Sequence, residues 1–293
     1  MKQVIPDNPP KALPLPGGAL LDFSRPRIMA IVNCTPDSFY VPHRTPGPED
    51  ALRRALEAEA GGADIVDFGA EASGPGSAYI DEKEELRRLM PALRLFRGRS
   101  SLPVSIDTRK APVARAVLDE GADIINDISA LKDPGMIPLC AGRGAAVVVM
   151  HGEGLGFASR GGPGDLVAEL RNFLLGAVRR AEAGGIPKEK IILDPGFGFG
   201  KSTEENLLLL ARLAEIRFGD YPLLVGLSRK RFIGGLTRRD PEDRLAGTMA
   251  ANAAALMKGA DIIRVHDAAP AADLAAVAGA LRYFEREYAG GGE

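Results

Sequence analysis

Gly121-Ala122-Asp123-Ile124-Ile125-Asn126-Asp127 is the stretch that decides the fold. Its glycine can end a helix in the left-handed conformation, its isoleucines can enter a buried strand, and two polar side chains follow them. Near-copies begin at Gly61-Gly62-Ala63-Asp64 and Gly259-Ala260-Asp261, and an apolar run follows each of them. The stretch therefore predicts a helix-to-strand connection that the chain uses repeatedly.

Outward from this stretch, short apolar runs rich in β-branched residues alternate with amphipathic segments. Runs that are apolar throughout are typical of parallel strands buried on both faces. The predicted strands are Ile28–Val32, Ile65–Phe68, Val104–Ile106, Ile124–Ile125, Ala146–Met150, Ile191–Leu193, Leu223–Val225 and Ile262–Val265. The predicted helices are Glu49–Ala60, Glu82–Phe96, Ala111–Glu120, Asp165–Ala183, Glu204–Ile216, Pro241–Met257 and Ala271–Tyr288, with a weaker helical segment at Gly135–Ala141.

Repeated strand–helix units without a break in composition favour an α/β fold, a (β/α)8 TIM barrel formed by a single domain. We place that domain at residues 22–293, after a short Pro-rich N-terminal extension at residues 1–21. An open doubly wound sheet is the alternative. Such sheets carry a Gly-rich phosphate loop after the first strand, and no such loop follows Ile28–Val32 here.

Composition narrows the classes of function and the compartment. A net charge of -2 over 293 residues gives no bulk attraction to nucleic acid or anionic membranes, so any anion site must be local. The Pro-rich start lacks the apolar core of a signal peptide, and Cys34 and Cys140 are too few for a disulfide framework. We therefore expect a cytoplasmic protein. Gln3 is the only glutamine and Arg outnumbers Lys, which favours a thermophilic source.

Polar side chains follow every predicted strand, and in an α/β barrel these strand ends meet at one rim. They are Asn33, Asp67 to Glu71, Asp107 to Arg109, Asn126 with Asp127, Met150 with His151, Asp194, Ser228 to Lys230, and Arg264 with His266 and Asp267. A solvated loop or a helix cap explains any one of them. Such groups after every strand instead indicate an active site.

The residue types at this rim predict a ligand. Buried carboxylates such as Asp107 and Asp194 can accept paired N–H donors from a flat amino-heterocycle, while Asn126 can both donate and accept. This set suits a 2-amino-4-oxo pyrimidine edge, which pterins share with guanine.

The basic residues at the rim predict an anion beside that ring. Lys230, Arg264 and His266 are cationic or can become so, and suit a diphosphate. A structural role is the alternative for His266, but Arg264 lies two residues earlier on the same strand face, which favours function. Asn33 can coordinate Mg²⁺ that bridges phosphate oxygens.

The loop Asp194-Pro195-Gly196-Phe197-Gly198-Phe199-Gly200-Lys201 is the most distinctive one. Its glycines permit close approach of backbone to a ligand, and Phe199 can offer an aromatic face. The loop is neither a Walker A motif nor a dinucleotide fingerprint. The sequence also contains no zinc-spaced cluster and no Gly-x-Ser-x-Gly nucleophile elbow.

Taken in order, the motifs of this chain resemble those of the dihydropteroate synthase family, a group of pterin-binding TIM barrels, from about Arg27 to Tyr288. The motifs are Met29 to Phe39, Ser105-Ile106-Asp107-Thr108-Arg109, Ile124 to Ser129, Asp194 to Lys201, Gly226-Leu227-Ser228-Arg229-Lys230, and Ile263-Arg264-Val265-His266-Asp267. The resemblance implies a homodimeric transferase that joins a pterin diphosphate to p-aminobenzoate in folate synthesis, with Mg²⁺ assisting.

The same resemblance implies residue roles. The pterin site would comprise Asp107, Asn126, Met150, Asp194, Phe199, Gly226, Lys230 and Arg264, and Arg264 would stack on the ring. The p-aminobenzoate site would comprise Ser73, Pro75, Phe199, Ser228 and Lys230. The diphosphate would contact Asn33, Arg264 and His266, with Asn33 also holding the metal. The catalytic set would be Asn33, Asp107, Lys230, Arg264 and His266. In this family the diphosphate is thought to leave first, and the aniline nitrogen then attacks a pterin carbocation.

Two loops depart from the family pattern. Glu71-Ala72-Ser73-Gly74-Pro75-Gly76 stands where the family usually has Glu-Ser-Thr-Arg-Pro-Gly, so an arginine is replaced by Gly74. Ser38 to Arg44 lacks the usual Ser-Asp-Gly-Gly after Ser-Phe. We hypothesise that His43 or Arg44 replaces the lost positive charge, and the alternative is that both are plain surface residues.

Two other functions remain open from the sequence. A methyltetrahydrofolate-dependent methyltransferase has a similar barrel but needs no diphosphate site, so Ser228 to Lys230 and Arg264 to His266 speak against it. A non-catalytic pterin-binding paralogue is credible because the altered loops at Tyr40–Arg44 and Ala72–Gly76 could end turnover while ring binding survives. Turnover of p-aminobenzoate separates that paralogue from an enzyme.

Overall fold

Eight parallel strands form the centre of the molecule. The computed structural model describes residues 12–34, 47–71, 79–152 and 166–289. The barrel strands are β3 (Arg27–Asn33), β4 (Ile65–Gly69), β5 (Val104–Asp107), β6 (Ile124–Asp127), β7 (Ala146–Met150), β8 (Ile191–Asp194), β9 (Leu224–Val225) and β10 (Ile262–Val265). They pair in the order β8-β7-β6-β5-β4-β3-β10-β9. A parallel bridge between Leu193 and Leu223 brings β8 to β9, so the sheet is a nearly closed barrel, as predicted.

Helices follow the strands around the barrel. They are α1 (Pro48–Ala60), α2 (Glu82–Arg97), α3 (Ala111–Asp119), α4 (Met136–Arg143), α5 (Leu166–Ala183), α6 (Thr203–Ala211), α7 (Arg231–Thr237), α8 (Leu245–Met257) and α9 (Ala268–Ala289). The main core lies between their inner faces and the outward side chains of the strands. Within the described ranges no helix is both long and apolar enough to cross a lipid bilayer.

Two helix predictions were wrong in detail, and one helix was not predicted. Glu204–Ile216 is not one helix, because α6 ends at Ala211 and a 3-10 turn occupies Leu213–Glu215. Pro241–Met257 divides in the same way into a 3-10 turn at Pro241–Asp243 and α8. Helix α7 was missed, since Gly234-Gly235 is a poor helix former. Tertiary packing explains one of these glycines: a Cβ on Gly234 would lie 2.3 Å from the Arg244 guanidinium.

The N-terminal residues contain a hairpin that the sequence did not predict. Strands β1 (Ala12–Pro14) and β2 (Leu20–Asp22) pair antiparallel. Leu13, Leu15, Leu21 and Phe23 are buried in a cluster with Met29, Ile65, Ile124, Ala146, Val148, Ile192, Leu224 and Ile262. Most of these barrel residues are at or near the first positions of their strands, so the hairpin covers the N-terminal end of the barrel. The predicted boundary between residues 21 and 22 falls inside β2.

The repeated Gly-Ala-Asp connection has the predicted backbone. Gly62, Gly121 and Gly259 have φ angles of +89°, +90° and +97°, which favour glycine. The following alanine N–H bonds back to the helix in each case, as in the bond from Ala122 N–H to the Val117 carbonyl (2.9 Å). Each connection is therefore a left-handed helix end that turns directly into a strand.

The aspartate of each connection joins neighbouring strands. Each carboxylate accepts a backbone N–H: Asp64 from Ile28 (2.9 Å), Asp123 from Val104 (2.9 Å) and Asp261 from Leu223 (2.8 Å). An arginine pairs with each carboxylate, namely Arg27, Arg97 and Arg217 respectively. The recurring aspartate thus fixes the start of each of these strands, at the end of the barrel opposite the predicted site.

Candidate active site

The described candidate residues lie at the C-terminal rim of the barrel. Asn33, Asp107, Met150 and Asp194 are the last residues of their strands, Asn126 is in β6, Arg264 is in β10, Phe199 follows β8, Gly226, Ser228 and Lys230 follow β9, and His266 follows β10. Ser73, Pro75, Gly74 and the segment Tyr40–Arg44 lie outside the described residues. The expected convergence of the other strand ends is therefore present.

A buried network centred on Arg264 crosses the barrel mouth. Arg264 donates from Nε to Asp67 Oδ2 (2.6 Å) and from Nη2 to Asp107 Oδ2 (3.0 Å). Asn126 donates from Nδ2 to the same Asp67 oxygen (3.2 Å). Burial raises the pKa of Asp107 above its usual range, and the Arg264 charge opposes that shift. The carboxylates hold the guanidinium by its edge, which leaves its planar faces able to stack.

The network also fixes the orientation of the Asn126 side-chain amide. Because Nδ2 donates to Asp67, the amide oxygen points elsewhere. Asn126 Oδ1 and Asp67 Oδ1 are buried, and within the described residues neither accepts a hydrogen bond. Buried acceptors without donors are costly, so these atoms suit a ligand that brings N–H groups. Sequence reasoning noted Asp67 but did not place it in the site; a carboxylate inside an otherwise apolar strand was the available signal.

Asp194 and Lys230 form a second part of the site. Asp194 Oδ1 accepts the Gly196 N–H (2.7 Å), and burial raises the pKa of Asp194 to about 6. Burial, and then the Arg264 charge, lower the pKa of Lys230 to about 8, while the Asp194 carboxylate opposes this. At neutral pH the carboxylate is thus mainly ionised and the ammonium mainly protonated. Lys230 Nζ lies 4.3 Å from the centre of the Phe199 ring.

The Gly-rich loop after β8 is held by Lys201. Its Nζ donates to the carbonyls of Gly196 (2.7 Å) and Phe199 (3.1 Å), and burial lowers its pKa to about 7. Gly196 has φ +67°, and a Cβ there would be 2.0 Å from the His151 carbonyl oxygen, so the loop requires glycine. The motif containing Lys201 was recognised from the sequence, but its contact with the loop carbonyls was not.

Ser228 contacts His266 through both the backbone and the ring of the histidine. Its Oγ accepts the His266 backbone N–H (3.2 Å) and lies 2.9 Å from His266 Nδ1. A hydrogen bond therefore joins the hydroxyl to Nδ1, and its donor is set by the tautomer of the ring. Burial, and then the Arg264 and Arg229 charges, lower the pKa of His266 to about 4. The His266 ring is accordingly neutral at pH 7, whereas the sequence suggested a possible cation.

Arg229 fixes the turn that carries Ser228 and Lys230. It has a φ of +57°, unusual for a residue with a side chain. Its Nη2 donates to Asp267 Oδ1 (2.8 Å), its N–H to Thr248 Oγ1 (3.0 Å), and its carbonyl accepts from Arg244 Nη1 (3.0 Å). These contacts tie the turn to the end of β10 and to α8. Backbone strain that several contacts maintain is typical of functional turns.

Asn33 is the candidate metal ligand. It ends β3 half-buried, and its carbonyl accepts from Arg54 Nη2 (3.1 Å). Across residues 12–34, 47–71, 79–152 and 166–289 there is no group of three or more His, Cys, Asp or Glu that could hold a metal. A single amide oxygen fits the way Mg²⁺ usually binds, with few protein ligands and additional phosphate oxygens from the substrate.

A pocket of about 520 Å³ opens beside these groups, between the Gly-rich loop and the start of α7. Phe199, Lys230 and Arg231 are among the residues that line it. Lys230 also interacts electrostatically with Asp194, so the pocket adjoins the second part of the site. The site thus has a deep part rich in hydrogen-bond acceptors, basic groups beside it, and an outer pocket with an aromatic wall.

Comparisons with known proteins identify the family of the chain. The family profile described as pterin binding enzyme matches residues 29–266. Dihydropteroate synthase of Escherichia coli K12 is 42% identical over 252 residues, which are 85% of this chain and 89% of that protein. A structure of Xanthomonas albilineans dihydropteroate synthase with 4-aminobenzoic acid has a TM-score of 0.87 and 42% identity, over 93% of this chain and 98% of that one. A structure of the same enzyme with 7,8-dihydropteroate has a TM-score of 0.82 and 41% identity, over 92% of this chain and 99% of that one.

Proposed function

The chain belongs to the pterin-binding enzyme family, and from this premise we propose that it catalyses the dihydropteroate synthase reaction. It condenses 6-hydroxymethyl-7,8-dihydropterin diphosphate with p-aminobenzoate, giving 7,8-dihydropteroate and diphosphate in folate synthesis. The observation that carries this function is the juxtaposition of buried, donor-less acceptors with Arg264 and Lys230. The acceptors suit a ring rich in N–H groups, and the basic residues suit an anionic leaving group. A substrate that contains both needs the two kinds of group side by side.

The deep acceptors bind the pterin. Asn126 Oδ1 and the Asp194 carboxylate accept the N–H groups of the ring, and Asp107 and Lys230 complete its polar edge. Arg264 stacks on one face of the pterin ring. Asp67 and Asp107 support this role because they bind only the edge of its guanidinium. Met150, Gly226 and Phe199 line the pocket.

The basic groups stabilise the departing diphosphate. The bond between the pterin methylene carbon and the diphosphate oxygen breaks, and the electron pair leaves with the diphosphate. Arg264 supplies positive charge and, with the Ser228 hydroxyl donating to Nδ1, His266 donates from Nε2, so negative charge is stabilised where it develops. The aniline nitrogen then bonds to the methylene carbon and loses a proton. No covalent nucleophile from the protein is needed.

Asn33 would hold Mg²⁺, which when bound neutralises part of the charge on the diphosphate. Replacing Asn33 with Ala should raise the Mg²⁺ concentration needed for half-maximal turnover. An unchanged requirement would remove Asn33 from this role. The roles of Ser73 and Pro75, and the replacement of the missing arginine by His43 or Arg44, stay predictions that affinity measurements on alanine variants can test.

A second copy of the chain is the proposed partner. Exposed apolar side chains at Val277, Leu281, Phe284 and Tyr288 follow one another along α9. Apolar patches of this kind mark interaction surfaces, and symmetric dimers are the commonest assemblies. We also propose a cytoplasmic location and a thermophilic source. Cell fractionation tests the location, and the half-life of activity on heating tests the source.

Turnover by the purified protein tests the function. We expect the protein to consume pterin diphosphate and p-aminobenzoate in equal amounts and to release 7,8-dihydropteroate. Chromatography measures all three compounds. Asp194→Asn should lower kcat/KM about 10- to 100-fold, because hydrogen bonds to a charged group are lost. Asp119→Asn, a surface carboxylate paired with Arg143, is the control. Binding of the pterin without turnover would instead identify a non-catalytic paralogue.

A further inference from the structure

The backbone of Arg229, between Ser228 and Lys230, is held from outside the site by the start of α8. We propose that Arg244 and Thr248 are positioning residues that direct Lys230 towards the pterin site by binding this backbone, and that Gly234 provides the space that Arg244 needs. This inference rests on the proposed function and deepens it, because in that function neither Arg244 nor Thr248 touches a substrate.

Both polar groups of the Arg229 backbone are bound by one face of α8. The Arg229 N–H donates to Thr248 Oγ1 (3.0 Å), and the Arg229 carbonyl accepts from Arg244 Nη1 (3.0 Å). Arg244 and Thr248 are one helical turn apart, since the Thr248 N–H donates to the Arg244 carbonyl (2.8 Å). The side chain of Arg229 is held separately, by Asp267 (2.8 Å). The Arg244–Thr248 pair is therefore what holds the backbone itself.

The conformation of Arg229 depends on such contacts. Its φ of +57° lies in the left-handed region, which a residue with a side chain leaves unless its surroundings hold it there. A change in this φ would turn Ser228 and Lys230 relative to each other. Ser228 is bonded to both the backbone and the ring of His266, so Lys230 is the neighbour that would move. Lys230 would then leave its position over the Phe199 ring.

Gly234 in α7 leaves room for the Arg244 guanidinium. A Cβ on Gly234 would overlap the guanidinium, which also donates from Nε to the Arg239 carbonyl (3.0 Å). The guanidinium is the flexible end of a side chain, so it would give way and lose the Arg229 carbonyl. The next residue, Gly235, differs: a Cβ there would meet only Thr203 Oγ1 at 3.7 Å, an ordinary contact. The two glycines are therefore a matched pair within one helix.

The competing explanation is that Arg244 only fastens α7 to α8. A purely structural contact affects the free energy of unfolding, but it affects neither kcat/KM of the folded protein nor the pKa of Lys230. Burial, and then the Arg264 charge, lower that pKa to about 8, with the Arg231 charge acting in the same direction, while Asp194 and Asp107 oppose the shift. If Lys230 turned towards solvent, its pKa would rise. The pH at which kcat/KM falls on the alkaline side would then rise as well.

Kinetics with the pterin diphosphate test the proposal on Arg244→Ala and Gly234→Ala. Each should lower kcat/KM about tenfold, because a substrate-binding group is displaced, and each should move the alkaline fall to higher pH. Gly235→Ala, the control, should change neither. The double variant Gly234→Ala/Arg244→Ala should match Arg244→Ala alone, because both substitutions remove the same contact.

Thr248 provides an independent pair of variants. Thr248→Val nearly preserves the shape of the side chain but removes the acceptor for the Arg229 N–H, and it should lower kcat/KM several-fold. Thr248→Ser keeps Oγ and should stay within about twofold of the wild type. Urea unfolding of every variant shows that the protein is folded under the assay conditions, so that a loss of kcat/KM is not a loss of folded protein.

Wild-type kcat/KM and an unmoved alkaline fall in folded Arg244→Ala would overturn the proposal. So would an equal loss in Gly235→Ala, or losses that add in the double variant, since Gly234 would then not act through Arg244. Unchanged kinetics in Thr248→Val would remove Thr248 from the pair. All of these results leave the proposed function intact, because wild-type turnover is measured in the same assay. Absence of wild-type turnover would overturn the proposed function, and this inference with it.

Discussion

At the scale of single residues, Asp67 organises the site from beneath. One of its oxygens binds both Arg264 and Asn126, so a single buried carboxylate sets the guanidinium plane and the direction of an amide. Asp261 resembles it closely, being buried and paired with Arg217, but it lies at the other end of the barrel. Comparing variants of Asp67 and Asp261 therefore separates an effect on the positioning of site residues from an effect on the stability of the fold.

Replacing Asp67 with Asn should lower kcat/KM for the pterin diphosphate about 10- to 100-fold, because the charged contact to Arg264 is lost and Asn126 is no longer held. Asp261→Asn should lower the free energy of unfolding by about 3–5 kcal/mol and leave kcat/KM of the folded protein unchanged. Kinetics and denaturant unfolding measure the two effects. If both variants lost stability and neither lost kcat/KM, Asp67 would be structural only.

The pKa values of Asp194 and Lys230 predict a bell-shaped pH profile. In the proposed reaction Asp194 accepts N–H groups as a carboxylate, so kcat/KM for the pterin diphosphate should fall as pH drops through about 6. Lys230 must be protonated, so kcat/KM should fall again as pH rises through about 8. Lys230→Arg should remove the alkaline limb, because a guanidinium stays protonated. A limb that persists in this variant would belong to another group, and Lys201 is the first candidate.

At the scale of elements, the helix-to-strand connections carry the architecture. Gly121 has φ +90°, and a Cβ there would meet nothing closer than the Arg97 side chain at 3.7 Å, so only the backbone conformation opposes a larger residue. Gly176 lies within α5, and a Cβ there would have open space. Replacement of glycine by alanine should therefore change the free energy of unfolding in opposite directions at the two positions.

Gly121→Ala should lower the free energy of unfolding by about 1–2 kcal/mol, since an L-residue is strained in the left-handed region. Gly176→Ala should raise it by about 0.5–1 kcal/mol, because Ala is the better helix former. Urea unfolding of both variants against the wild type measures the pair. Stabilisation at both positions would show that the left-handed turn at Gly121 is not required.

The same elements show what sequence reasoning can reach. All eight barrel strands were predicted, because parallel strands buried on both faces are apolar runs and Gly-Ala-Asp precedes three of them. The hairpin of β1 and β2 was missed, since its Pro-rich sequence is ordered by contact with the barrel base. The candidate residues after strands were found because strand ends share one rim. The contact of His266 with Ser228 and the contacts of Lys201 with the loop carbonyls join segments that are distant or non-adjacent in the sequence, and no local pattern contains them.

At the scale of the whole molecule, the surface of α9 predicts the assembly. Val277, Leu281, Phe284 and Tyr288 are spaced by four, three and four residues, so they lie on one face of a helix with 3.6 residues per turn. The rings of Phe284 and Tyr288 stack with centres 5.7 Å apart.

Leu281→Glu should convert the proposed dimer to monomers, because it would place a charge within the apolar contact proposed for α9. Ala276→Glu adds the same charge to an exposed position on another face of α9 and should leave the dimer intact. Sedimentation equilibrium of both variants makes the comparison. A wild-type protein that sediments as a monomer would contradict the proposed assembly.

The hairpin of β1 and β2 has a practical consequence for anyone who shortens this gene. Its first two dozen codons read like a dispensable leader, yet Leu13, Leu15, Leu21 and Phe23 keep water from the base of the barrel. A polypeptide that started at Arg27 would offer Met29, Ile65 and Ile124 to solvent, and its expression would be expected to yield inclusion bodies. Purification tags are therefore better joined ahead of Ala12 than used in place of the hairpin.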